Sequence, residues 1–113
     1  MKINTNQILK KITGENYKEN EGKDNEKDFT FGNAVGAIMV IQKSENPWKQ
    51  YRLTKEIAES EGELNLSSED IVFVKKILEQ HAQSQNAIYY PFVIGQCIDL
   101  LEGAKDAKPK KGE

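Results

Sequence analysis

Few side chains in this chain could do covalent or proton-transfer chemistry, and their surroundings say what they are for. His81 is the only histidine, so a histidine-based triad or a multi-histidine metal site cannot be assembled within one chain. It falls on an apolar stripe near the end of a helical pattern, where a hydrogen-bonded edge histidine is the expected role. Cys97 is the only cysteine, which excludes an intrachain disulfide and a cysteine metal cage and fits a reducing compartment. Its aliphatic neighbours raise a thiol's pKa and make it inert. Glu69 and Asp70 are adjacent carboxylates, but they follow Ser67 at a helix start, where negative charge answers the helix dipole. No phosphate loop, dinucleotide fingerprint or calcium loop occurs. The expectation is a non-enzyme without cofactor or metal.

Chemistry of contact is better represented. Lys49, Arg52 and Lys55 line one side of a helical pattern, with Trp48 on its edge. Arg52 is the sole arginine, although arginine dominates guanine readout. A helix-turn-helix reading of this segment and the next would aim Ser67, Ser68, Glu69 and Asp70 at phosphate, two negative charges where positive ones are needed. The lysines at 105, 108, 110 and 111 could add only salt-sensitive attraction. Nucleic-acid binding is therefore the alternative, and protein–protein contact or self-association the favoured reading. Its expected residues are those left over once each helix has faced the core: Trp48, Arg52, Val72, Phe92 and the face carrying Gly32, Gly36 and Val40. Tryptophan and closely packed small residues suit an interface centre.

The elements that position these residues can be read from periodicity and caps. Residues 66–82 (LSSEDIVFVKKILEQHA) form the best-specified helix. Ser67 fits its N-cap with Asp70 at N3, and Leu66 and Ile71 have staple spacing. Ile71, Val74, Ile77, Leu78 and His81 make its stripe, widened by Phe73. Residues 29–43 form a second helix capped by Thr30. Phe31, Ala34, Val35, Ile38 and Ile41 lie on one face, with Gly32, Gly36, Met39 and Val40 opposite. Gly36 costs about 1 kcal/mol against Ala there, which points to close backbone approach. Asn46 and Pro47 start a third helix, proline at N1, with Tyr51, Leu53, Thr54, Ile57 and Ala58 expected inward and a Trp48–Arg52 cation–π contact allowed by spacing. Gly62 is its left-handed cap. A fourth helix runs from Pro91 to Glu102, closed by Gly103, with Val93, Ile94, Cys97, Ile98, Leu100 and Leu101 as its buried side.

The remainder is less determined. Residues 1–13 read equally as a helix or as a strand or hairpin docked on the helices. Residues 14–28 hold one aromatic, Tyr17, and no aliphatic residue, so a mobile loop or an exposed hairpin is expected. The tail, 104–113, is expected to be disordered.

At 113 residues the chain is one domain by length, 1–103 with that tail, and its 37% of hydrophobic residues supply a modest core. A net charge of −2 and a pI near 5.5 give no reason to seek nucleic acid or anionic membrane. The longest apolar run is far short of the roughly 20 residues of a membrane span. Met1 to Gly14 lacks the apolar stretch of a secretory leader, so a cytoplasmic location is expected.

The segments DFTFGNAVGAI, KQYRLTKEIAES, ELNLSSEDIVFVKKILE and YPFVIGQCIDLLEG resemble a group of small helical proteins of tailed phages and prophages, over Phe29 to Gly103. The resemblance lies in helix pattern and length rather than a chemical motif. It implies a phage-encoded accessory protein acting in the host bacterial cytoplasm by binding a host or phage protein, and brings no catalytic residues with it. The fold expected from all of this is mainly α, a compact bundle of four helices.

Overall fold

The computed structural model describes residues 1–107. Four helices carry most of the chain: α1 (Phe31–Ile41), α2 (Pro47–Glu59), α3 (Ser68–Ala82) and α4 (Pro91–Ala107). Four short strands add two small antiparallel sheets. One pairs β1 (Lys2–Asn4) with β4 (Glu63–Asn65), Ile3 opposite Leu64. The other is the hairpin of β2 (Lys18–Glu19) and β3 (Lys27–Asp28).

Three of the helices begin where their capping chemistry says they should. Thr30 accepts the Asn33 N–H while Asn33 Oδ1 accepts the Thr30 N–H, a reciprocal box. Asn46 Oδ1 accepts the Lys49 N–H ahead of Pro47, and Ser67 Oγ accepts the Asp70 N–H. Ile71, Val74, Ile77, Leu78 and His81 are all buried, as the α3 stripe requires. They pack into one cluster with Phe31, Ala34, Val35 and Ile38 of α1, Leu53 and Ile57 of α2, and Val93, Ile94, Cys97 and Leu101 of α4.

Three expectations are corrected. The inward face of α2 is Gln50, Leu53 and Ile57, while Tyr51 and Ala58 are exposed. Gln50 turns the helix this way because its Nε2 donates to the carbonyls of Met39 and Gln42, which end α1, and its Oε1 accepts from Ser44. Ile41, expected in the core, is half exposed because α1 ends there. Gly103 does not stop α4, which continues to Ala107, so the tail expected to be disordered from Ala104 begins in helix; residues 108–113 lie outside the described residues.

The N-terminal part resolves into strand. The Thr5 N–H donates to the Gly62 carbonyl at 3.1 Å, and the Gly32 N–H to the Thr5 carbonyl at 2.9 Å. Thr5 Oγ1 also bonds Ser60 Oγ at 2.7 Å. Thr5 thus joins the end of α2 to the start of α1. Residues 14–28 take the hairpin alternative, and Leu9, Tyr17 and Phe29 explain how. Their backbones close a ring, Leu9 N–H to Phe29 C=O at 2.9 Å, with Phe29 N–H to Tyr17 and Tyr17 N–H to Leu9 both at 2.8 Å. The rings of Tyr17, Phe29 and Tyr89 pack in series in tilted pairs, with centroids 5.4 and 5.2 Å apart.

Candidate functional site

Val40, Ile41, Trp48 and Tyr51, all exposed, lie where α1 ends and α2 begins. Helix geometry, about 100° per residue, puts Trp48 and Lys55 opposite the Gln50–Leu53–Ile57 core face of α2. Pro47 and Tyr51 fall on the flank toward α1, and Lys49, Arg52 and Glu56 on the flank toward α3. Trp48 is 81% exposed, Val40 71%, Tyr51 62% and Ile41 51%. Between the two helices lies a shallow groove of about 710 Å³ whose apolar walls are Val40, Ile41, Pro47 and Tyr51. Nothing in the α1 or α2 sequence alone shows that Tyr51 belongs here; it is turned outward because its neighbour Gln50 takes the core face by capping α1.

The other flank of α2 is electrostatically closed. Arg52 reaches Glu56 Oε2 at 3.0 Å and Asp70 Oδ1 at 3.7 Å, and Lys49 reaches the same Asp70 oxygen at 3.6 Å. The cation–π contact is made by Lys49, 5.0 Å from the Phe73 ring centroid, rather than by Arg52 over Trp48. Val72, half exposed, lines a groove of about 450 Å³ with Phe73, Lys49 and Lys76. Lys76 is in turn paired with Glu45 at 3.2 Å.

The other expected contact residues fare differently. A Cβ on Gly32 would sit 3.0 Å from the Thr5 carbonyl oxygen, so this glycine is used for close approach inside the chain. At Gly36 an added Cβ would meet only Ile57 Cγ2 at 3.9 Å, an ordinary contact. The close approach expected at Gly36 is therefore found one turn earlier. Met39, on the same face, is buried. Of that face, Val40 is the part most open to solvent. Phe92, half exposed on α4, lines neither groove and has exposed Ile88 and Tyr90 near it in sequence.

The chemically capable groups are held in the interior. Cys97 is fully buried, and burial pushes its thiol up to about 12. His81 is hydrogen-bonded at both ring nitrogens, to Gln42 Oε1 and to the Ile88 N–H, each at 3.0 Å. Among the described residues no three His, Cys, Asp or Glu side chains converge as metal ligands would. Beneath the hairpin a cleft of about 440 Å³ is walled by Tyr17, Phe29 and Tyr89. Its charges are paired across the strands, Lys18 with Asp28 at 2.9 Å and Lys27 with Glu19 at 3.6 Å. Each of that first pair favours the other's charged form, so Lys18 lies above its ordinary value and Asp28 below. No helix among the described residues is long and apolar enough to cross a membrane.

No protein-family model, curated protein or solved structure matches the chain.

Proposed function

We propose that the chain is a non-enzymatic accessory protein of the phage type that works by binding another protein through the face where α1 passes into α2. The observation that carries this reading is the exposure of Val40, Ile41 and Tyr51 around one groove, with exposed Trp48 on the outer side of the same α2. Contiguous apolar surface of this kind is what contact sites are made of, and tryptophan and tyrosine contribute most where they are covered. The phage assignment, and with it action in the bacterial cytoplasm, rests on the resemblance of the quoted segments alone. A helical bundle gives such a face a rigid support.

The nucleic-acid reading has less behind it. The positive charges of Lys49 and Arg52 are answered by Asp70 and Glu56. The packing also departs from a helix-turn-helix: α2 lies chiefly against α1, and α3 against α4.

The test compares the wild-type chain with a Trp48→Ala/Tyr51→Ala double variant and with Phe92→Ala. A protein retained by the wild type and by Phe92→Ala, and released at least about thirtyfold more easily by the double variant, supports the face; that factor matches a hot-spot loss of about 2 kcal/mol. Sedimentation over a concentration series distinguishes a second copy from a different protein. Equal retention by the double variant overturns the assignment of the face. Retention of nucleic acid that weakens steeply with salt would favour the alternative.

A further inference from the structure

His81 is 2% exposed, and its tautomer is dictated by its neighbours. A backbone N–H can only donate, so Nε2 must accept from Ile88 at 3.0 Å. The ring proton therefore sits on Nδ1 and is donated to Gln42 Oε1 at 3.0 Å. One neutral imidazole on α3 thereby holds both the residue that caps α1 and the connection between α3 and α4. Among the described residues the other hydrogen bonds of that connection are local, such as Ser84 N–H to the His81 carbonyl at 3.0 Å and Asn86 N–H to Ser84 Oγ at 2.9 Å.

We propose that His81 is a pH-sensitive latch, and that protonation of its Nε2 releases the 83–90 connection from the α1–α3 core. A proton on Nε2 replaces an acceptor with a donor, which then faces the Ile88 N–H inside the protein. The bond is lost and a cation is left buried without a counter-charge. The connection, once free, takes Tyr89 away from Phe29 and opens the hairpin cleft that both residues line.

The surrounding charges do not rescue the imidazolium. On α3 itself Lys75 pairs with Glu102 of α4, Lys76 with Glu45 before α2, and Glu79 faces solvent. Lys43, after α1, is exposed. The C-terminus of α3 would favour a cation, but burial outweighs it and holds the imidazole below its ordinary value. Tyr89, kept above its ordinary value by burial, stays neutral throughout the acidic range.

The test follows the Ile88 amide and the His81 ring by NMR between about pH 8 and about pH 5. In the wild type, protection of the Ile88 amide against exchange is expected to fall about tenfold per pH unit between the ordinary histidine value and the lowered one. His81→Gln can accept from Ile88 and donate to Gln42 at every pH, so its protection is expected to stay level. Constant wild-type protection, or a parallel fall in His81→Gln, overturns the proposal. Should His81→Gln fail to fold, the wild-type ring decides: a midpoint at or above the ordinary value overturns the latch, and one below it, moving with Ile88 exchange, supports it.

Discussion

Two glycines one turn apart on α1 have opposite roles, and the difference is measurable. Gly32 cannot become alanine without pushing back Thr5, which is held by its hydrogen bonds to Gly62 and Ser60, so Gly32→Ala is expected to cost about 1–3 kcal/mol. Gly36→Ala meets only ordinary contact and removes a mid-helix glycine, so it is expected to stabilise by up to about 1 kcal/mol. Chemical denaturation of the two variants checks the pair, and equal effects would contradict the placement of residues 1–5 against α1. The same measurement separates core from surface. Ile77→Ala, fully inside, is expected to cost about 2–5 kcal/mol, and Trp48→Ala, outside, to stay within about 0.5 kcal/mol. His81 adds a pH dependence whose sign follows from its lowered folded value. Between the ordinary value of 6.5 and that lower one the unfolded chain binds more protons. Its contribution is therefore complete above 6.5, is lost as the pH falls through the interval, and levels off below it. Melting temperatures of wild type minus His81→Gln across that range are the readout.

At the scale of elements, what was legible followed from strong local signals. Thr30, Asn46 with Pro47, and Ser67 mark three helix starts because each supplies a side-chain acceptor for an N–H the helix leaves open. The α3 stripe was legible because five apolar or half-apolar side chains repeat at the helical period. The inward face of α2 was not, since Gln50 is recruited by carbonyls on another helix and no pattern within α2 announces that. Gln50→Leu is expected to cost about 1–3 kcal/mol, because the Met39 and Gln42 carbonyls and the Ser44 hydroxyl lose their partner in a buried place. Hydrogen exchange should show the loss first at residues 42–50. β1 and β4 were missed as a sheet because three residues are too few to display a period, and each is a strand only through the other. Gln96 lies outside the buried side expected for α4, yet its amide accepts from the Lys10 N–H and donates to the Lys10 carbonyl, both at 2.8 Å, much as an extra strand would. The proposed contact face is half legible. Trp48 and Val40 stood out as leftover apolar residues; Tyr51 and Ile41 joined them only because Gln50 and the end of α1 turned them outward.

For the molecule as a whole, the interior is drawn from all four helices and from the N-terminal segment, through Ile3, Leu9 and Phe29. Cys97 lies inside it and serves as a reporter. With its thiol pushed up to about 12 and shielded from solvent, it is expected to react with a thiol reagent only when the core opens. Its modification rate in the native protein should fall well below that of the denatured chain, and rise in Ile77→Ala. A rate unaffected by either change would mean that α4 separates from the rest on its own.

The β1–β4 pairing sets an order on events during synthesis. Lys2 to Asn4 leave the ribosome well before Glu63 to Asn65, the strand that gives them a register. Until then Ile3 has no Leu64 to meet, and Thr5 cannot engage Gly62. Long-range closure of this kind is slow compared with forming a helix. Residues 2–5 are consequently among the last to find their place, and the nascent molecule carries that unplaced segment for as long as α1 and α2 are being completed.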